Sequence, residues 1–305
     1  MKKVSVIIPT YKRSQDIQRA VDSVLNQDYP QFEVIVVDDN GVASPDGELT
    51  KLKMQKYEHD SRVKYLRHKV NKNGSAARNT GLNAAEGDYI SFLDDDDAYR
   101  PSRLSKLVAK MESLGPEWGA CYSSYVKIFE DGRIQNSGEK VEGDIFIQTL
   151  MRSFYLGSGS NIFVRRSVID DIGLFDETFL RNQDLEFLIR VTKRYKMAYV
   201  DDILMEAYYD IRTTKLSIDQ YEDKEKYFLQ KFGPDIDSVS DKEKHAIFAM
   251  YDLDWIRLCL EKKCYGRALK TVLRGRIPLS AYVGYLKYAY DRKRTGLCYG
   301  YVVKL

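Results

Sequence analysis

The residues of this sequence that point most directly to chemistry are four consecutive carboxylates, Asp94, Asp95, Asp96 and Asp97. Negative charges this close repel one another, so their pKa values should rise unless a cation lies among them. Carboxylate oxygens on a tight turn suit hard ions such as Mg²⁺ or Mn²⁺, and Mg²⁺ commonly completes its coordination shell with substrate phosphates. The alternative is a solvated acidic turn. The run directly follows the apolar, strand-like residues 90–93, which favours a metal or phosphate site.

Two further sets of polar residues could bind a ligand. Asp38 and Asp39 end another apolar segment, where an acid can accept hydrogen bonds from a ribose hydroxyl or a base N–H, although a turn or cap role is the alternative. Arg78 lies in the first turn of a predicted helix, where a helix N-terminus with an arginine favours phosphate oxygens, although a surface arginine on an ordinary helix is the alternative. No GxGxxG follows the first strand and no GxxxxGK[ST] occurs, so neither nicotinamide-cofactor binding nor P-loop ATP chemistry is indicated.

The elements that must position these residues alternate between two hydrophobic periods. Apolar runs predict strands at residues 4–8, 32–37, 63–66 and 89–93, and helical spacing predicts a helix capped by Ser14 and further helices at residues 47–57, 75–85 and 102–114. This alternation predicts a doubly wound, mostly parallel sheet flanked by helices. Ligands in such sheets bind beyond the carboxyl ends of the strands. The polar residues after three of these strands should therefore meet in one crevice.

The rest of the chain divides into a mixed section and a helical one. Asp131-Gly132 predicts a hairpin between residues 121–129 and the segment after Arg133. Residues 157–160 should form a flexible turn before a strand at 161–164, followed by a helix at 184–195 and a strand at 197–200. From residue 218 onward the pattern is helical. We therefore expect a domain over residues 1–215 and a helical extension over residues 216–305.

Four short motifs occur in order within the first hundred residues: VIIPTY at 6–11, VVDD at 36–39, GSAARN at 74–79 and FLDDDD at 92–97. Together they resemble the family 2 glycosyltransferases, which are inverting enzymes that use nucleotide sugars and have the GT-A fold. GLFDE at 173–177 and the pair Gln183-Asp184 extend the resemblance to about residue 215. The resemblance implies an α/β fold of the GT-A type with a helical C-terminal extension.

The resemblance also implies roles for individual residues. Asp184 matches the catalytic base, and Asp96 matches the metal-binding acid of the DxD element, with Asp97 in a neighbouring position. The expected cofactor is Mn²⁺ or Mg²⁺, and the expected donor is a nucleoside-diphosphate sugar, with UDP as the first choice of nucleotide. The remaining residues expected to line the donor site are Pro9, Thr10, Tyr11, Arg13, Asp39, Gly74, Arg78, Asp94 and Asp95.

The acceptor implied by the resemblance is a saccharide or a lipid-linked saccharide. A nucleotidyltransferase on a similar fold is disfavoured because the Gly-rich N-terminal loop that its chemistry needs is missing. A catalytically inactive sugar-nucleotide or glycan-binding protein is disfavoured because Asp96 and Asp184 are both present. Many relatives carry a downstream histidine; this chain has Arg212 and Lys215 there instead, which we expect to contact the diphosphate. His59, His68 and His245 are expected at the surface or in packing.

Composition and charge indicate the class of protein and its compartment. With 305 residues, 44% hydrophobic and 30% charged, the chain can build a sizeable core. Its four cysteines show neither CxxC spacing nor a histidine partner, so no disulfide framework or zinc site is indicated. The longest uncharged stretch has 12 residues, too few for a spanning helix, and the N-terminal uncharged run is too short for a secretory signal. We therefore expect a cytoplasmic protein.

The net charge of +3 is unevenly distributed. Residues 257–305 contain twelve Lys or Arg and two acids, so the rest of the chain is net negative, which argues against nucleic acid as a partner. Basic helices with tyrosines can lie on an anionic membrane surface, and the alternative is a packed helical appendage with a solvated charged face. The basic tail therefore leaves two interpretations open, peripheral contact with the inner face of a membrane and a packed appendage.

Overall fold

The computed structural model describes residues 1–209 and 216–304. These residues form two compact units. The first unit comprises Met1–Ile145 and Leu156–Tyr209. The second unit comprises Phe146–Tyr155 and the described residues from 216 onward.

The first unit is built on one mixed sheet. Its strands among the described residues are β1 (Val4–Thr10), β2 (Phe32–Asp38), β3 (Val63–Arg67), β4 (Tyr89–Phe92), β5 (Ala98–Tyr99), β6 (Trp118–Phe129), β7 (Ile134–Asn136), β8 (Phe163–Arg165) and β9 (Lys196–Tyr209). They follow the order β3-β2-β1-β4-β8-β6-β9-β5, and β7 pairs with β6. β1 pairs in parallel with both β2 and β4, and β3 in parallel with β2, whereas β8 runs antiparallel to β4 and β6.

Helices flank the sheet and form the C-terminal part of the chain. The first unit contains α1 (Ile17–Leu25), α2 (Pro45–Met54), α3 (Gly74–Ala84), α4 (Arg103–Glu112), α6 (Arg166–Ile172) and α7 (Gln183–Thr192), and the second contains α5 (Phe146–Leu150), α8 (Ile218–Asp237), α9 (Asp241–Glu261), α10 (Tyr265–Val272) and α11 (Leu279–Thr295). A mixed sheet flanked by helices, followed by C-terminal helices, confirms the predicted fold class.

The core holds β1 and β2 between layers of helices. Val6 and Val36 are fully buried and belong to one apolar cluster with Ile17 of α1 and Leu104 of α4. Strands covered on both faces read as continuous apolar runs, which is why these segments could be identified from the sequence. The same burial fixes where each strand ends and its polar residues begin.

The start of α1 differs from the expectation that Ser14 caps it. The helix begins at Ile17, and its N-cap residue Asp16 makes no side-chain capping hydrogen bond. The amides of Asp16 and Ile17 both donate to the carbonyl of Arg13, so a preceding turn leads directly into the helix. A cap is therefore replaced by a continuous turn.

The strand expected at residues 197–200 continues to Tyr209 as β9. Its register against β6 jumps from Val200 opposite Ser123 to Ile203 opposite Ser124, which leaves Asp201 and Asp202 bulged out. A bulge interrupts the side-chain alternation on which strand prediction relies. Because of this bulged acidic pair, the sequence pattern did not predict the part of the strand that follows it.

Gly81 lets α3 lie close to β1, and its replacement by alanine should destabilise the first unit. An added Cβ would lie 2.4 Å from Cγ2 of Ile7, a side chain that is itself fully buried. We expect Gly81→Ala to lower the free energy of unfolding by about 1–3 kcal/mol in chemical denaturation. Asn83→Ala on the exposed face of the same helix is the control, with a change within about 0.5 kcal/mol. A Gly81→Ala protein as stable as wild type would contradict the close packing.

The second unit is a helical assembly with well-defined helix starts. Ser217 and Ser240 form capping boxes at α8 and α9, with Gln220 and Glu243 as the returning side chains. The Arg152 guanidinium lies 4.3 Å from the ring centroid of Tyr251 in α9. None of the helices formed by the described residues combines the length and hydrophobicity that spanning a bilayer requires.

Candidate active site

Hydrogen bonds donated by backbone amides join the ends of three strands. The amide of Asp39 donates to the carbonyl of Thr10 at 2.9 Å, and the amide of Lys12 donates to Oδ1 of Asn40 at 2.6 Å. The amide of Tyr11 donates to Oδ2 of Asp95 at 3.3 Å. The polar residues after β1, β2 and β4 therefore meet, as the strand pattern predicts.

The carboxylate of Asp39 is fully engaged by the loop that precedes α3. Its Oδ1 lies 2.7 Å from Nδ1 of His68 and accepts from the amide of Lys72 at 2.8 Å. Its Oδ2 accepts from Nδ2 of Asn71 at 2.8 Å and from the amide of Asn73 at 2.9 Å. The structure therefore gives Asp39 a loop-ordering contact set; the nucleoside contact expected of it stays a prediction.

His68 is a residue whose place the sequence did not reveal. It is buried, and its second ring nitrogen lies 2.8 Å from Oγ1 of Thr80 in α3. The ring thus links Asp39, at the end of β2, to the helix that carries Arg78. A lone histidine in sequence gives no signal for such a link, because its partners lie 12 and 29 residues away.

The acidic run separates into two buried and two outward-facing carboxylates. Asp97 accepts from the hydroxyls of Ser158 and Ser160, each at 2.6 Å, and from the amide of Tyr208 at 3.2 Å. Burial raises the pKa of the Asp95 carboxyl to about 7, and burial together with the charge of Asp94 raises the pKa of Asp97. These two acids therefore hold the turn, and the expected flexible turn at residues 157–160 supplies the hydroxyls that bind one of them.

Asp94 and Asp96 face outward and pair with arginines. Nη2 of Arg78 lies 2.6 Å from Oδ1 of Asp94, and Arg13 forms an ion pair with Asp96. The side chains of these two acids are 30% and 22% exposed. Among the described residues no three His, Cys, Asp or Glu side chains form a metal-binding group. One or two carboxylates with substrate phosphates is the usual Mg²⁺ arrangement, and Asp94 and Asp96 are the two partly exposed carboxylates of the run.

Arg78 connects the acidic run to the start of α7. Its Nη1 donates to Oε1 of Gln183 at 2.7 Å while its Nη2 contacts Asp94. A Cβ on Gly74 would lie 2.9 Å from the same Gln183 oxygen, so the absence of a side chain there lets the two helix starts approach. The structure therefore brings Gly74, Arg78, Asp94 and Gln183 into one contact group.

Asp184 is half-buried in the first turn of α7, next to this group. Burial raises the pKa of its carboxyl, the positive charge of Arg78 opposes that rise, and the negative charge of Asp94 adds to it. A Cβ on Gly159 would lie 3.3 Å from Cβ of Asp184, so the 157–160 turn packs directly against it. A carboxylate with a raised pKa can accept a proton from a bound hydroxyl group.

Three loops around these residues contain a non-glycine residue with left-handed backbone geometry. The φ angles are +58° at Lys12, +93° at Asn73 and +56° at Asn182. Each precedes or follows a residue of the candidate site: Tyr11, Gly74 and Gln183. Such conformations cost about 1–3 kcal/mol each and persist where the surrounding contacts enforce them. The loops are therefore held in defined positions.

The remaining predicted positions lie on the same edge of the sheet. Pro9 is within β1, opposite Val37. Tyr11 is 45% exposed, so its ring is available to a ligand. Arg212 and Lys215, expected to contact a diphosphate, lie outside the described residues.

Arg103 is a buried cation that supports the turn beneath the acidic run. Its Nη1 donates to Oγ of Ser123 at 2.9 Å and to Oδ1 of Asn161 at 3.0 Å, and its Nη2 donates to the carbonyl of Ser160 at 3.2 Å. The guanidinium lies 4.4 Å from the ring centroid of Tyr99. Since Ser160 also binds Asp97, Arg103 positions the turn that holds this acid.

Arg103→Met should therefore destabilise the first unit. The replacement leaves several buried acceptors without their donor, and we expect the free energy of unfolding to fall by about 1–3 kcal/mol. Arg100→Met is the matched control, because Arg100 makes a partly exposed ion pair with Glu206 that should contribute under about 1 kcal/mol. Denaturant titration compares the two. Equal effects from both variants would contradict the role of Arg103.

Comparisons with known proteins agree with this arrangement. Residues 5–173 match the family model described as Glycosyl transferase family 2. The chain is 29% identical over 195 residues to the amylovoran biosynthesis glycosyltransferase AmsB of Erwinia amylovora, covering 62% of this chain and 64% of that protein. It is 32% identical over 189 residues to the GalNAc(5)-diNAcBac-PP-undecaprenol beta-1,3-glucosyltransferase of Campylobacter jejuni, covering 60% and 58%. The chain thus spans about 60% of the length of these relatives.

Solved structures resemble the fold. The crystal structure of residues 1–349 of Staphylococcus aureus TarS in complex with UDP superimposes with a TM-score of 0.62 at 21% identity, covering 85% of this chain and 72% of that chain. The complex of the same protein with UDP-GlcNAc gives a TM-score of 0.63 at 20% identity, covering 81% and 70%. With the family model matched over more than half of its residues, the chain belongs to glycosyl transferase family 2.

Proposed function

We propose that the chain is an inverting glycosyltransferase that moves a sugar from a nucleoside-diphosphate sugar to a hydroxyl group of a saccharide or lipid-linked saccharide. The single observation that carries the proposal is the contact group around Arg78, which joins the acidic strand end to the helix start that bears Asp184. UDP is the proposed nucleotide, because a structural neighbour binds UDP and UDP-GlcNAc. The relative from Campylobacter, named as acting on an undecaprenol-linked glycan, supports the lipid-linked alternative for the acceptor.

The proposed reaction is a single displacement at the anomeric carbon of the donor. The acceptor oxygen forms a bond to that carbon while the bond from the carbon to the diphosphate oxygen breaks, and the nucleoside diphosphate leaves. Asp184 takes the acceptor proton as general base. A double displacement would need a second, free carboxylate as nucleophile. Asp95 and Asp97 do not suit that role, because they are buried and hydrogen-bonded to the protein.

The reaction also requires that the negative charge on the departing diphosphate is stabilised. Arg78 and Arg13 are the described cations that lie against the outward-facing acids, and we propose that they help to bind the phosphates. Asp96, with Asp94, would hold Mn²⁺ or Mg²⁺, and the chemistry that such an ion supplies is neutralisation of the developing negative charge. Arg13 would then exchange its contact with Asp96 for a contact with phosphate.

The place where the enzyme works depends on its acceptor. A lipid-linked acceptor is presented at a membrane, so we propose peripheral contact with its cytoplasmic face through the basic C-terminal residues. Saccharide acceptors in solution would not require that contact. The nature of the acceptor therefore decides whether membrane association and activity are linked.

The pH dependence of the reaction should report the base. Asp184 works deprotonated, and burial raises its pKa above the ordinary aspartate value of about 3.9. The value of kcat/KM should therefore fall as the pH drops through this raised pKa, and it should reach its plateau above that pKa. The check is a profile of kcat/KM against pH, which reports ionisation in the free enzyme. An acid limb at the ordinary aspartate value would contradict the assignment.

A panel of nucleotide sugars tests the function itself. UDP, dTDP and GDP sugars are added with and without Mn²⁺ or Mg²⁺, and thermal stabilisation and the released products are recorded. We expect one donor class to stabilise the protein, slow release of nucleoside diphosphate, and loss of the metal-dependent part in Asp96→Asn. Asp171→Asn, an exposed acid of α6, is the control. Released pyrophosphate would indicate a nucleotidyltransferase, binding without any release would indicate a binding protein, and no stabilisation by any donor would overturn the proposal.

A further inference from the structure

The second unit exposes apolar side chains that its own packing does not use. On α11, Leu279, Val283, Leu286 and Tyr290 are 61–78% exposed. Their spacing of four, three and four residues places them on a single face of the helix. This stripe, which we call the α11 stripe, is the face of α11 that the unit leaves open.

The opposite face of α11 is the one that packs. Ala281 is buried, and its carbonyl accepts a hydrogen bond from the hydroxyl of Tyr301 at 3.1 Å. The hydroxyl of Tyr288 donates to the carbonyl of Tyr299 at 2.8 Å, and the rings of Tyr285 and Tyr301 meet edge to face. Folding of the unit therefore accounts for the tyrosine face and not for the α11 stripe.

A second helix repeats the pattern. On α10 and the residue after it, Tyr265, Leu269, Val272 and Leu273 are 42–76% exposed, while Ala268 and Thr271 on the other side are buried. Five residues, among them Arg274 and Arg276, connect this helix to α11 across residues 274–278. Each of these two consecutive helices therefore exposes an apolar face, and exposed apolar patches in a folded protein mark sites of interaction.

The charges beside these faces indicate what the surface would bind. Lys287 and Lys293 flank the α11 stripe on its two sides, and Lys270 lies beside the α10 face. In the part of the chain that the structure describes, these three lysines have no carboxylate partner, whereas Arg267 pairs with Asp219 and Glu222. No acid occurs from Leu279 to Tyr290. Apolar side chains set among unpaired cations complement an anionic lipid surface, where acyl chains and negative headgroups are adjacent.

We propose that the outer faces of α10 and α11 dock the protein onto an anionic lipid bilayer, with the α11 stripe at the level of the headgroups and Lys270, Lys287 and Lys293 on the lipid phosphates. The inference rests on the proposed function for its purpose, which is to bring the site to a lipid-linked acceptor. The physical contact itself needs neither donor nor acceptor. It can therefore be measured separately.

The test uses the full chain and vesicles of phosphatidylcholine with or without phosphatidylglycerol, in the absence of any nucleotide sugar. We expect co-sedimentation with the anionic vesicles at low salt, little with the neutral ones, and loss of binding when salt is raised to roughly 0.5 M. Lys287→Gln with Lys293→Gln should weaken binding about 25-fold, at about fivefold for each lysine near the surface. Val283→Ser with Leu286→Ser should also abolish most of the binding to anionic vesicles.

The matched control removes exposed apolar residues elsewhere. Leu49→Ser with Leu52→Ser changes two side chains of α2 that are 51% and 61% exposed, and it should leave vesicle binding unchanged. Thermal melting verifies that each variant is folded.

No sedimentation with anionic vesicles at low salt, or equal sedimentation of all variants, would overturn the proposal. So would a wild-type dimer that Val283→Ser with Leu286→Ser dissociates, if vesicles are not bound, because the face would then join two copies. Vesicle binding without donor turnover would instead overturn only the proposed function.

Discussion

Asp184→Asn is expected to bind the nucleotide-sugar donor with wild-type affinity and to turn it over about 10²–10⁴-fold more slowly, the usual contribution of a positioned general base. The amide keeps the size and the helix position of the carboxylate but cannot accept the proton of the acceptor. Donor affinity should persist because the donor contacts are assigned to other residues, Arg78 and Asp96 among them. Steady-state kcat together with a donor Kd separates the two effects.

The control for this variant is the same substitution at a distant surface acid. Asp171→Asn removes an exposed carboxylate that pairs with Arg194, and it should leave kcat unchanged. If Asp184→Asn retains more than about a tenth of the wild-type rate, a general base of the usual strength lies elsewhere.

The second large effect is expected at Arg78. Arg78→Met removes the cation that bridges Asp94 and Gln183, and kcat/KM should fall about 10²–10³-fold, as for loss of one charge-stabilising donor in an active site. The same substitution should shift the acid limb of the pH profile upward, because the charge of Arg78 holds down the pKa of Asp184. A profile of kcat/KM against pH measures both changes.

Arg78→Lys separates charge from geometry. Lysine keeps the positive charge but cannot span two partners with a planar fork, so its activity should lie between those of wild type and Arg78→Met. An acid limb that stays in place in Arg78→Met would contradict the electrostatic link to Asp184. Circular dichroism checks that α3 remains folded in both variants.

The strands that position the site could be predicted because each is a short apolar run. β1 and β2 are buried on both faces, so their sequences carry a strong local signal. Only residues 197–200 of β9 could be predicted, because Asp201 and Asp202 bulge out of the strand and break the alternation. The predicted start of α1 was wrong, because a turn that begins at Arg13 replaces the expected cap at Ser14.

The contacts of the acidic run could not be predicted from the local sequence pattern. Its position after β4 was clear from the sequence, but the separation into buried and outward-facing acids was not. Asp97 is held by Ser158 and Ser160, which are 61 and 63 residues away, and Asp94 is held by Arg78. Such partners are set by the fold of the sheet. A single sequence contains no spacing rule that would reveal them.

His68 and Arg103 illustrate the same limit for supporting residues. Each is buried and touches groups that contact the candidate site, and neither belongs to a motif. Arginine usually lies at the surface and histidine is of intermediate burial, so residue type alone does not predict that either of them is inside. Only the three-dimensional contacts indicate that they position Asp39 and the turn that binds Asp97.

The proposed reaction is a single displacement by a hydroxyl group that Asp184 activates, and the stereochemistry of sugar release distinguishes it from a double displacement. Wild-type protein is incubated with the α-linked UDP sugar that stabilises it, with water as the acceptor, and the first anomer released is identified by proton NMR before it mutarotates. We expect release of the β anomer together with UDP, and much slower release from Asp184→Asn. Initial release of the α anomer would contradict it, because retention requires a second displacement that this site is not proposed to perform.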